Sequence, residues 1–176
     1  MVSGDWPELE YLVIKTGVRV LRANEAGLSV SAVIQALTEA DAALPEPPTA
    51  TDVSTFADRY AAQVAPLDAA ATTLETEMAE IGSGHARIIE IVDADRAATG
   101  VAEEYLGGAV SLGKRSASLA EACVALSRSL DARRVTVPQI GDSATELASA
   151  MERIVDALEP ASDWGERSAA ILADWT

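Results

Sequence analysis

Residues 60–81 read YAAQVAPLDAAATTLETEMAEI, and the apolar seam within them falls at Tyr60, Val64, Leu67, Ala71, Leu74, Met78 and Ile81. Steps of four and three alternate, the half-heptad repeat of a helix resting lengthwise on another helix. The rhythm returns at Leu112, Leu119, Cys123, Leu126 and Leu130, with Ser116 filling one seam position. It returns again at Ile140, Ala144, Leu147, Met151, Ile154 and Leu158. No stretch alternates with period two for long enough to suggest a sheet. The pattern predicts an all-α protein, an antiparallel bundle of six or seven helices with coiled-coil-like packing.

Glycine and proline set the expected breaks. Asp5 and Pro7 suit the start of a first helix running to about Glu25, with Leu9, Val13, Val20 and Leu21 as its apolar positions. Gly27 reads as its stop and Ser29 as the cap of a second helix reaching Leu44, so residues 1–44 are expected to form a helical hairpin. Residues 45–52, Pro-Glu-Pro-Pro-Thr-Ala-Thr-Asp, read as a linker, leaving 53–176 as the main bundle. A helix begins near Asp52 or Ser54 and carries Pro66, which predicts a kink or a late start. At Gly82-Ser83-Gly84 two signals compete. The seam stays in phase through His85, Ile88 and Val92, as one unbroken helix would keep it. Two glycines cost a helix roughly 2 kcal/mol, and that weighs towards a hairpin turn. Gly107-Gly108 predicts another interruption, 135–141 an extended connector, Ser143 with Glu146 a capping box, and Asp163 the start of a last helix.

Composition narrows function more than motifs do. A net charge of −15 opposes binding to nucleic acid and to anionic membranes, and the densest basic pairs, Lys114-Arg115 and Arg133-Arg134, are short. No run approaches the ~18 apolar residues of a membrane span. The N-terminus lacks a basic start followed by an apolar stretch, so the expected location is the cytoplasm, or export without a cleavable signal peptide. The single cysteine, Cys123, sits on a seam and reads as a buried structural thiol. With one histidine, His85, and no Glu-x-x-His pair, no metal is implied. Phosphate-binding glycine motifs are absent, and no cofactor is implied. Trp164 and Trp175 lie about three turns apart on one face, fit either to dock the last helix or to anchor a partner.

The segment 52–105, with an Ala-rich helix, the Gly82–Gly84 turn and a following helix, resembles the Trp-x-Gly helical-hairpin substrates of type VII secretion. The resemblance implies two long antiparallel helices, dimers that add two more, and a secretion motif Tyr-x-x-x-Asp/Glu late in the second helix. Here Ile91-Val92-Asp93-Ala94-Asp95 places the acid correctly with Ile91 at the tyrosine position, and the turn has no tryptophan.

The expected function is therefore non-catalytic: helix–helix association with a protein partner or in a homodimer, as a secretion substrate or adaptor. An apolar stripe should be open on 54–92, through Tyr60, Leu67 and Leu74, or around Trp164 and Trp175. The alternative is a small enzyme or ligand-binding bundle, chorismate-mutase-like, with Arg87, Arg96 and Arg128 facing an internal cavity.

Overall fold

The computed structural model describes residues 6–176, and Asp5, expected to cap the first helix, lies outside the described residues. Helix α1 spans Trp6–Ala43, α2 Ala50–Ala94, α3 Thr99–Thr136, α4 Gly141–Leu158 and α5 Ala161–Trp175. Single 3-10 turns, Arg96–Ala98 and Pro138–Ile140, lead into α3 and α4. No strand occurs among the described residues. The backbone keeps right-handed helical angles through Glu159 and Pro160, so α4 and α5 continue one another across a proline that removes a hydrogen bond. Among the described residues the bundle thus has four rods, not six or seven.

Each missing break has a physical reason. The expected stop at Gly27 is crossed by one 38-residue helix, in which the Ser29 hydroxyl donates back to the Glu25 carbonyl instead of capping a new helix. The turn at Gly82–Gly84 is likewise absent: α2 runs unbroken for 45 residues, about 68 Å at helical rise, so 52–105 forms no hairpin around that turn. Both glycines there sit under neighbours, Gly82 beneath the Trp164 ring and Gly84 against Thr16. Close contact between rods offsets their low helix propensity. Pro66 also lies within α2, on an exposed turn where water can solvate the carbonyl it leaves unpaired. Gly107 and Gly108 lie inside α3. The helix ends shift too. Thr49 and Asp52 form the capping box of α2, and the Thr49 backbone N–H holds the Asp52 carboxyl below the usual range. Ser143 is inside the first turn of α4 with no side-chain cap there, and α5 begins at Ala161, two residues before Asp163. The expected extended connector 135–141 is the end of α3 followed by a 3-10 turn.

Side-chain pairs fix how the rods run. Along α1 and α2, Asp41 meets Tyr60, Arg19 meets Glu77, and Glu8 meets Arg87, which makes them antiparallel. Arg134 with Thr145 and Gly113 against Gly165 do the same for α3 and α4–α5. By contrast α1 runs parallel to α3, through Gly27 against Leu119 and Asp41 with Arg133. Parallel again are α2 and α4–α5, through Glu75 with Arg153 and Asp93 with Arg167. Two antiparallel hairpins therefore stand side by side, with α2 and α3 across the diagonal.

The core is the predicted seam. Tyr60, Leu67, Ala71, Leu74 and Ile81 are buried, as are Leu112, Cys123, Leu130, Ile140, Leu147, Met151 and Ile154. Polar locks close each end. At one, Asp41 accepts from the Tyr60 hydroxyl at 2.9 Å and from Arg133 Nε at 3.0 Å, with the guanidinium over the Phe56 ring. Near the other, His85 Nδ1 lies 2.8 Å from the Tyr105 hydroxyl, and the Trp164 ring sits tilted against the imidazole with ring centres 5.7 Å apart.

Candidate interaction surface

Helix α1 is apolar on two sides. Its inner face buries Leu9, Val20, Ala23, Val30, Val33 and Leu37. Its outer face carries a second series, Tyr11, Ile14, Val18, Leu21 and Leu28, with exposures of 62, 69, 43, 63 and 71%. These positions step by three, four, three and seven, which is a heptad seam with Glu25 in the one skipped place. Their open side chains form a stripe on the order of 500 Å², the size at which exposed apolar patches on monomers are commonly functional. Lys15, Arg22 and Glu25 flank or interrupt it, and Lys15 Nζ sits 5.8 Å from the Tyr11 ring centre.

The two surfaces expected from the sequence are placed differently. Tyr60, Leu67 and Leu74 are at most 1% exposed, so the seam on 54–92 is consumed inside the bundle. Trp164 is half-buried against Gly82 and His85, so it docks α5 onto α2. Trp175 packs its ring edge 3.4 Å from where a Gly100 Cβ would stand, and keeps 37% of its surface open. The stripe on α1 is not among the surfaces expected from the sequence. Its signal was present, but Leu9, Val13, Val20 and Leu21 read as one stripe when Leu21 belongs to the other.

The three arginines do not come together. Arg87 is clamped by Glu8, through contacts of 2.8 and 2.9 Å, and by Glu90. Arg96, in the turn before α3, and Arg128, far along α3, are exposed. No internal cationic cluster forms from them, which corrects the expectation of an arginine-lined cavity. Burial pushes the Cys123 thiol up to about 11, away from nucleophilic use at neutral pH. Among the described residues no group of His, Cys, Asp and Glu is arranged to hold a metal ion, and no helix is long and apolar enough to cross a membrane. Comparison with protein-family models, curated proteins and solved structures gives no match.

Proposed function

We propose that this chain is a non-catalytic helical module that self-associates, α1 of one copy lying antiparallel along α1 of a second. The observation that carries the reading is the exposed heptad seam from Tyr11 to Leu28 on a helix whose opposite face is already buried. An antiparallel match centred between Val18 and Leu21 sets Val18 on the partner's Leu21 and Tyr11 on the partner's Leu28. It also sets Glu25 opposite the partner's Ile14, with the partner's Lys15 the next residue along. A parallel match would instead oppose Glu25 to its own copy, two carboxylates in an apolar seam. The resulting interface, roughly 1,000–1,200 Å² over both copies, is at the low end of specific interfaces and corresponds to a weak, reversible dimer. Each copy carries −15 charges, so association should tighten as salt rises, because screening weakens the repulsion between copies.

Sedimentation or light scattering across protein concentration tests this. The wild-type chain should shift from monomer to dimer at tens of micromolar, further at 500 mM than at 50 mM salt. Leu21→Glu should remain monomeric with unchanged helicity and unfolding temperature, since Leu21 contributes little to the core. Oxidation of a mixture of Val18→Cys and Leu21→Cys chains should give the mixed crosslink in preference to either like pair. A wild-type monomer at every concentration and salt would refute self-association and leave the stripe to a helix of another protein.

A further inference from the structure

Between α1 and α3 the bundle opens into a groove of about 680 Å³, within the size range of small-molecule sites. Small residues on both rods, Ala23 and Gly27 on α1 and Ala122 on α3, leave the gap. The walls carry Leu28, Leu112 and Leu119, and the groove reaches Leu74 of α2 and Leu158 of α4, side chains of the buried core. Its polar groups are not distributed at random. In a chain with 28 acidic residues, not one lines this groove. Lys114 and Arg115 stand exposed at its edge, and among the described residues neither has an ion-pair partner. Next in sequence but turned to the inner side of α3, Ser116, which also lines the groove, is 3% exposed and its hydroxyl has no hydrogen-bond partner. A buried hydroxyl left unpaired is costly, and native proteins rarely leave one without a reason.

We propose that the α1/α3 groove binds a long-chain carboxylate. Its alkyl chain lies along the leucine walls towards Leu74 and Leu158, and its head group meets Lys114 and Arg115 and accepts a hydrogen bond from Ser116. Each element answers a feature of the site: the tail the apolar walls, the charge the acid-free cationic edge, the acceptor the orphaned hydroxyl. This site shares Leu28 with the self-association stripe but does not depend on that reading, and its test uses the Leu21→Glu chain so that oligomeric state plays no part.

Titration calorimetry with decanoate, dodecanoate and 1-decanol decides it. Non-specific partitioning favours the alcohol, and so does a net charge of −15, which repels the carboxylate. Decanoate binding at least tenfold tighter than 1-decanol is therefore the expected and diagnostic result. Dodecanoate should bind about tenfold tighter than decanoate, each further buried methylene adding roughly a factor of three to four. Lys114→Glu combined with Arg115→Glu should weaken decanoate at least tenfold and leave 1-decanol unchanged. Ser116→Ala should weaken decanoate about threefold to tenfold yet raise the unfolding temperature of the ligand-free protein, a combination a purely structural serine would not give. Ala122→Phe should abolish binding of all three; should it fail to fold, the exposed Lys114/Arg115 pair still decides. Equal affinity for decanoate and 1-decanol, no binding of decanoate, or indifference of decanoate to the charge reversal would each overturn the proposal.

Discussion

Gly113→Ala is expected to destabilise the fold by roughly 2–3 kcal/mol, while Gly107→Ala, six residues earlier on the same helix, is expected to stabilise it by roughly 0.5–1 kcal/mol. In a helix interior the intrinsic effect of the exchange is the same at both places, because alanine loses less backbone entropy on folding than glycine. The surroundings reverse its sign. A Cβ at Gly113 would stand 2.8 Å from the backbone carbonyl oxygen of Ala161 and 3.3 Å from the Cα of Gly165. Both obstacles are backbone, so no side-chain rotation relieves them, and α3 and α5 must move apart. That movement loosens Ala109, Ala161, Ser168 and Ile171, all buried between the two rods. At Gly107 nothing lies within 4 Å of the added carbon. Gly84→Ala belongs with Gly113→Ala, since its Cβ would meet Thr16 Oγ1, Cγ2 and Cβ together, but turning the threonine can relieve part of that crowding. Thermal unfolding of the variants checks the ordering, with a fall of roughly 5–10 °C for Gly113→Ala and a small rise for Gly107→Ala. A Gly113→Ala chain as stable as the wild type would show that α3 and α5 are not in this contact.

The same glycines mark where reading the sequence succeeds and where it stops. Half-heptad seams at 60–81, 112–130 and 140–158 are legible because a repeat of about 3.5 residues over several turns has one physical cause, a partner rod running alongside. That repeat carries through Gly82–Gly84 in phase, and the helix follows the phase. The competing signal, low helix propensity, is local and small. It is overridden by contacts with Trp164 and Thr16, far away in the chain and invisible to any window of sequence. Propensity marks where a helix is weak, not whether packing holds it. The α1 stripe failed for a different reason. Two apolar series share one helix there, and periodicity alone does not say which faces the bundle. Only when Leu9, Val20 and Val30 turn inward does the series from Tyr11 to Leu28 stand out as unused. Ser116 was legible as a polar residue in a seam, but that its hydroxyl is unpartnered beside a groove emerges only from the packing of α1 on α3.

Acid should unfold this protein through His85. The imidazole is 5% exposed, enclosed by Tyr105, Trp164 and the body of α2, and burial lowers its pKa from 6.5 to about 4. Burial disfavours the charged ring, so the unfolded chain takes up the proton first as pH falls. The stability that depends on a neutral His85 is complete above pH 6.5 and is lost progressively as pH drops from 6.5 through 4. While only the unfolded chain holds the proton, each further pH unit costs about 1.36 kcal/mol, so the loss is roughly 2 kcal/mol by pH 5 and roughly 3 kcal/mol by pH 4. Protonation of surface carboxylates runs alongside it; it relieves part of the −15 charge but also loosens the Asp52 cap and the Glu8–Arg87 pair, whose carboxyls the fold holds low, and these effects are common to wild type and variant. His85→Gln separates the two, because glutamine keeps a polar partner for the Tyr105 hydroxyl but does not titrate. Denaturant unfolding of both chains from pH 7.5 to 4 should show the wild-type advantage over His85→Gln shrinking by about 3 kcal/mol, with its midpoint between pH 4 and 6.5. An advantage that stays constant with pH would mean that the ring is hydrated in the folded state, and that the Tyr105–His85–Trp164 cluster does not close that end of the bundle.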